Sequence, residues 1–274
     1  MYEVAPEGYS CILFLSFDLD AESAEVYRRS DPNTLSRGRF AVYRGVFKVL
    51  EVLGKYGVKT TFFTPSWVIE RYPNIIEEIV SREHEVAAHG YLHERFDQLS
   101  EDDEKEVFDK TIKVFEEVVG YKPHGFRSPY WKWSKYTLRY LFDLGFTYDS
   151  SLMDDEIPYI IKSGNKQLVE FPVDWHLDDW PYLEYYRSLT PQQLLSQWLE
   201  ELDYAVKTRG YLSITMHPQC IGRGARIRVL EKLVEKAVNS KAWIVKGEEL
   251  AKYMLKSIGK KWLVVREHPV YEHI

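Results

Sequence analysis

Two aspartates one residue apart end a short apolar run in Ser16-Phe17-Asp18-Leu19-Asp20. Side chains two apart on a strand share a face, so the carboxylates point the same way if the strand continues and fan around a mouth if it stops. Like charges this close call for a counter-ion. A divalent cation is the usual answer, with one carboxylate coordinating and the other left to take a proton from bound water. A second motif, His89-Gly90-Tyr91-Leu92-His93, spaces two imidazoles at i and i+4. One turn of helix would bring both to one side, where they clamp a metal ion. With an aspartate the set is two nitrogens and one oxygen, typical of catalytic zinc-type sites that keep a position open to water. The plain alternatives are two solvated acids and a structural or surface histidine pair. His84, which precedes its strand, belongs outside the mouth.

Arg127-Ser128-Pro129-Tyr130 follows a further apolar run. Proline fixes the backbone there, and a guanidinium can hold a carboxylate bidentately, so Arg127 is suited to orient the basic aspartate. The Tyr130 amide is a candidate donor to a developing oxyanion. His217-Pro218 offers an imidazole opposite the metal candidates, a general acid for a leaving amine. Residues 174–182, Asp-Trp-His-Leu-Asp-Asp-Trp-Pro-Tyr, supply acids and rings. They read as a rim in which Trp175, Trp180 and Tyr182 stack on substrate while the acids cap a helix or face water. A second metal site is the lesser alternative. Arg223, Arg226 and Arg228 read as a solvated helix start in preference to an anion clamp.

Short apolar runs at 11–17, 59–63, 85–88, 124–126, 147–148, 168–173, 211–216 and 242–245 have strand character. Between them lie helical stretches with recognisable ends. Ser100 caps 101–119 ahead of Gly120, and Thr190-Pro191 opens a helix closed by Gly210. The β, α alternation implies an α/β fold of parallel strands with helices outside, closed as a barrel or open as a doubly wound sheet. Polar residues follow the runs: Asp18 and Asp20, Thr64, His89, Arg127, Asp149, Asp174, His217, and Lys246 with Glu248. In a parallel barrel the strand C-termini open on one face, so these residues are expected to converge.

At 274 residues the chain suits one domain, with 259–274 as a C-terminal extension. The formal charge of −6 offers no broad attraction to nucleic acid or an anionic membrane. The N-terminus has neither a basic start nor a long apolar run, so a cytoplasmic location is expected. Cys11 and Cys220 are expected as free thiols. The apolar residues within 260–274 point to packing on the barrel or on a second subunit, and a homo-oligomer is expected. His268-Pro269 reads as structural.

The ordered set Phe17-Asp18-Leu19-Asp20, His89 to His93, Arg127 to Tyr130, Asp149-Ser150-Ser151-Leu152 and His217-Pro218 resembles the five motifs of the polysaccharide deacetylase family. The resemblance spans about residues 12–218. It implies a distorted (β/α) barrel of about seven to eight parallel strands and a metal-dependent amide hydrolase. Carried over, Asp20, His89 and His93 bind one divalent metal, zinc first, with cobalt, manganese or iron possible. Asp18 is the base, Arg127 steadies it, and His217 is the acid. Tyr130, Trp131, Trp175 and Trp180 are expected to bind substrate. Two departures matter. The usual adjacent aspartates are split by Leu19, leaving open which one meets the metal, with Asp20 favoured, and Trp131-Lys132-Trp133 is bulky where many members carry small residues. Together with Asp149-Ser150-Ser151-Leu152-Met153 and Phe171-Pro172-Val173-Asp174-Trp175, these features resemble a branch holding peptidoglycan-deacetylase-like proteins and hydrolases of cyclic ureides and imides. The expected reaction is removal of N-acetyl groups from an amino sugar or a peptidoglycan- or chitin-like saccharide. Opening of a cyclic amide is the alternative, and a non-catalytic sugar-binding barrel the third reading.

Overall fold

The structure, a computed structural model, describes residues 3–267. Its strands are β1 (Ile12–Asp18), β2 (Thr61–Thr64), β3 (Glu85–Ala88), β4 (Gly125–Phe126), β5 (Tyr148–Asp149), β6 (Tyr159–Ser163), β7 (Lys166–Glu170), β8 (Tyr211–Met216), β9 (Trp243–Ile244) and β10 (Val265–Glu267). They form one sheet in the order β10-β6-β7-β5-β4-β3-β2-β1-β8, with β9 also on β1. β1, flanked by β2 and β8, is buried along its whole length, as a parallel strand covered on both faces must be. Ser16 pairs with Thr61 on β2 and with Thr215 on β8.

All eight expected strand runs are present, with ends shifted by a few residues. Two more strands were not anticipated. Tyr159–Ser163 folds back on Lys166–Glu170 as an antiparallel hairpin, so the sheet is mostly rather than wholly parallel. Gly164, at φ 57°, makes that reversal where a side chain would be strained. The expected C-terminal extension adds β10 parallel to β6, and Leu263 and Trp262 pack against the chain's own core. His268-Pro269 lies outside the described residues.

The described hydrogen bonds do not join β10 to β8, yet the sheet curls. β1 and β7 stand five places apart in the sheet, but the rings of Phe14 and Phe171 meet at 5.0 Å. The two-residue repeat then sorts side chains into two cores. Leu13, Leu15, Phe17, Phe62, Val86, Ala88, Phe126, Ile214 and Met216 join the larger cluster, which takes in most of the helices, whereas Ile12, Phe14, Phe63, Ala87 and Tyr148 join the inner one, with Leu250, Ala251 and Met254 of the Gly247–Lys256 helix. Continued past each strand, the inner parity selects Asp18, His89, Arg127 and His217.

The opposite end of the inner core is closed by Glu85. Its carboxylate accepts from Tyr148 Oη at 2.9 Å, Thr61 Oγ1 at 2.7 Å and the Glu248 amide at 3.0 Å. Lys246 and Glu248 therefore lie at the strand N-termini, away from the mouth they were expected to line. β9 pairs only with the start of β1, so its C-terminal end never reaches the mouth.

The helix ends follow local rules. Ser100 accepts the Asp103 amide, Gly120 is left-handed at φ 89°, and Thr190 forms a capping box with Gln193. Arg209 (φ 52°), not Gly210, takes the left-handed position after the 191–208 helix. No helix among the described residues is long and apolar enough to cross a membrane.

Candidate active site

The inner-parity residues converge at the mouth, as the strand-end pattern implied. Arg127 is fully buried. It donates through Nη1 to Asp18 Oδ1 at 2.6 Å, through Nε to the Ser150 carbonyl at 3.0 Å, and through Nη2 to Ser150 Oγ at 2.8 Å. The expected bidentate grip on a carboxylate is thus a single contact, because Ser150 takes the other nitrogens. Burial would raise the Asp18 carboxyl, but the Arg127 charge, together with His89, His217 and the Arg127 hydrogen bond, holds Asp18 below the usual carboxylate range.

The histidine pair sits on a loop, not on a turn of helix. Gly90 (φ 71°) and His93 (φ 62°) bend the chain, while the Glu94 carboxylate accepts the amides of Tyr91 and Leu92 at 3.0 and 2.7 Å. This brings the two imidazoles to 4.9 Å between ring centres. His89 Nδ1 lies 2.7 Å from the Arg127 carbonyl. That oxygen accepts the Nδ1 proton, leaving the Nε2 lone pair free.

Asp20 Oδ1 lies 3.5 Å from His89 Nε2 and 3.6 Å from His93 Nε2. Asp20 Oδ1 and His89 Nε2 are buried with no hydrogen-bond partner. Burial pushes the Asp20 carboxyl up to about 7, a rise that His217 opposes and Asp18 reinforces. Burial also takes His89 down to about 4 and His93 well below its ordinary value, so both rings are neutral donors. A buried carboxylate oxygen and an imidazole nitrogen that face each other without hydrogen-bond partners, beside a second neutral imidazole, fit a divalent cation.

His217 stands across the cavity, with Nε2 3.6 Å from Asp20 Oδ2 and 4.0 Å from Asp18 Oδ2. Its Nδ1 is 2.8 Å from Asp179 and 3.5 Å from Asp178. Burial would lower its pKa, but the two carboxylates override this and hold it well above the ordinary value. Asp178 and Asp179 were expected to cap a helix or face water; Asp178 Oδ1 does accept the Trp180 amide at 2.8 Å, but both acids are buried and neither faces water. These acids and His217 also keep their donor atoms within 4.8 Å of one another. Asp179 Oδ1, however, accepts from both the amide and the ring of His217, which makes the group a support for that imidazole.

The cavity, about 680 Å³, is lined by Asp18, Asp20, His89, His93 and His217 together with Tyr130, Trp131, Trp175 and Trp180. Tyr130 and Trp131 are both left-handed, at φ 59° and 55°, a strained arrangement of the kind that gathers at functional sites. The Tyr130 ring packs edge-on against His93, and its phenol accepts from Arg28. Trp131 meets Trp175 at 4.7 Å between ring centres, and Trp180 lies 5.5 Å from the His217 ring. Tyr182 packs on the core, and Asp174 pairs with His176 in solvent, so neither forms part of the wall. Arg226 binds Glu184, and Arg223 stacks on Phe40 and donates to the Arg37 carbonyl.

Sequence reading passed over Glu25, Arg28, Tyr185, Tyr186 and Gln219, which also line the cavity. They lie on connecting segments whose course no local rule sets. The His217-Pro218-Gln219 run offered the one signal, a polar residue within an otherwise apolar turn. His84 accepts the Thr60 amide at the foot of β3, outside the mouth, and both cysteines are buried free thiols.

The family model for polysaccharide deacetylases matches residues 43–148. The chain is 29% identical over 237 residues to a peptidoglycan deacetylase of Helicobacter pylori, covering 74% of this chain and 81% of that one. A solved Mycobacterium smegmatis structure assigned to the polysaccharide deacetylases superposes with a TM-score of 0.85 at 33% identity, covering 95% of this chain and 94% of that one. A solved allantoinase superposes with a TM-score of 0.86 at 18% identity, covering 94% of each chain, a likeness of fold alone.

Proposed function

Because the chain belongs to the polysaccharide deacetylase family, we propose that it is a metal-dependent hydrolase removing N-acetyl groups from an amino sugar or a peptidoglycan- or chitin-like saccharide. One observation carries this reading: Asp20 Oδ1 and His89 Nε2, buried and unpartnered, face each other at 3.5 Å beside the Arg127–Asp18 pair. Asp20, His89 and His93 would hold the metal, and two nitrogens with one oxygen favour zinc. When bound, such an ion polarises the amide carbonyl and lowers the pKa of a water.

The chain's own residues supply the proton traffic. Asp18, kept ionised by Arg127, receives a proton from the attacking water. His217, kept protonated by Asp178 and Asp179, gives one from Nε2 to the departing amine. Trp131 and Trp175 form an apolar wall for a sugar face. The same wall favours a second reading, opening of a small flat cyclic amide, because the packed tryptophans narrow the cavity.

The test is to strip the protein with a chelator, reload it with zinc, and assay acetate release from N-acetylglucosamine oligomers beside ring opening of a cyclic ureide and a cyclic imide. Acetate release restored by zinc supports the first reading. Full activity of stripped protein would sink metal dependence, and ring opening alone would move the substrate to the second reading.

A further inference from the structure

We propose that Gln219 is a positioning residue for Asp20, dividing the work of its two carboxylate oxygens so that one stays free for a metal; this rests on the metal reading above. Gln219 is buried, and its Nε2 lies 3.3 Å from Asp20 Oδ2. The other oxygen, Oδ1, is the one that faces His89 and His93 at 3.5 and 3.6 Å. A carboxylate on a loop beyond its strand can rotate and present either oxygen. An amide donor on Oδ2 removes that freedom and leaves Oδ1 toward the imidazoles.

The orientation of the amide follows from chemistry. A flipped side chain would set Gln219 Oε1 against a carboxylate oxygen, so the nitrogen belongs on Asp20. A neutral donor also suits this place better than lysine or arginine, whose charge would repel a divalent ion a few ångströms away. The backbone that carries Gln219 is held firmly, while its side-chain Oε1 is buried with no hydrogen-bond partner. Its backbone carbonyl accepts from Arg223 Nε at 2.9 Å. The turn Pro218–Ile221 presses on Gly45, where an added Cβ would lie 2.2 Å from the Pro218 carbonyl oxygen. The turn cannot shift without moving the 41–45 segment beneath it.

The experiment compares full-length wild type with Q219M, which keeps length but removes the donor, each stripped of metal. Zinc binding is read by calorimetry, cobalt(II) binding by visible absorption, and folding by circular dichroism and melting of the apoprotein. The expected result is a zinc dissociation constant raised roughly 10- to 100-fold, with a changed cobalt band because Asp20 can now turn, and an apoprotein melting point close to wild type. Q219S replaces Q219M if the latter misfolds. A folded variant with unchanged zinc affinity overturns the proposal while the metal reading stands. Failure of both variants to fold also overturns it, since the role would then be structural. Wild type that takes up neither zinc nor cobalt overturns this proposal and the metal reading together.

Discussion

His217 Nδ1 lies 2.8 Å from Asp179 Oδ1, and the same oxygen accepts the His217 backbone amide at 3.1 Å. One buried carboxylate therefore fixes both the ring and the chain that carries it. It also sets a tautomer, since the proton on Nδ1 faces Asp179 and Nε2 faces the cavity.

This pairing has a pH signature. The folded pKa of His217 is raised, so its proton is fully bound below the ordinary value and is lost only as pH rises through the raised one. Activity limited by this acid should hold through neutrality and fall on the alkaline side. In D179N the alkaline limb should move to lower pH and kcat drop by about 10²-fold or more, measured as pH profiles of kcat and kcat/KM. An unmoved limb would remove His217 from the role of acid.

Arg127 and Asp18 are both buried, so removing one partner strands the other charge. R127M should destabilise the fold by about 3–5 kcal/mol in denaturant unfolding. The Asp18 pKa is lowered in the folded state, so the stability it contributes is present above the ordinary carboxylate value and lost as pH falls through the folded one. The R127M deficit should therefore shrink in acid. A deficit that is the same at acid and neutral pH would contradict the pairing.

Asp18 and Asp20 separate by their contacts. D20N should lose most zinc binding, whereas D18N should keep the metal and lose turnover by about 10²–10⁴-fold. Calorimetry and acetate release on the same preparations decide it, and the reverse pattern would exchange the roles.

Gly90 tests the loop that replaces the expected helical turn. At φ 71°, with a Cβ lying 2.9 Å from Glu94 Oε2, G90A strains the backbone and pushes on the carboxylate that holds the loop. Destabilisation of about 1–3 kcal/mol is expected, together with weaker zinc binding as His93 is displaced from His89. A variant with wild-type melting and zinc affinity would show the loop to be more pliant than its geometry implies.

Much of this site was legible in the chain. The alternation of apolar runs and helical stretches implies parallel strands, and that puts the strand ends carrying Asp18, His89, Arg127 and His217 on one side. Ser100, Gly120 and Thr190 mark helix ends through bonds that reach only three to five residues. All of these are short-range consequences of backbone geometry, and so local sequence determines them.

Other features depend on segments distant in sequence. The 89–94 loop carries histidines at a helical spacing, but Glu94 and the left-handed Gly90 fold it differently, and nothing in an i, i+4 count registers that. Asp179 meets His217 across 38 residues, and Gln219 meets Asp20 across 199. The hairpin edge, the return of β10 and the placing of Lys246 and Glu248 at the far end likewise depend on which strands pair. The sequence determined the strands, the polar residues at their ends and the helix caps, because these are set by local backbone geometry. Only the tertiary structure decided which of them meet, because those contacts are made by the curl of the whole sheet and the loops it brings together.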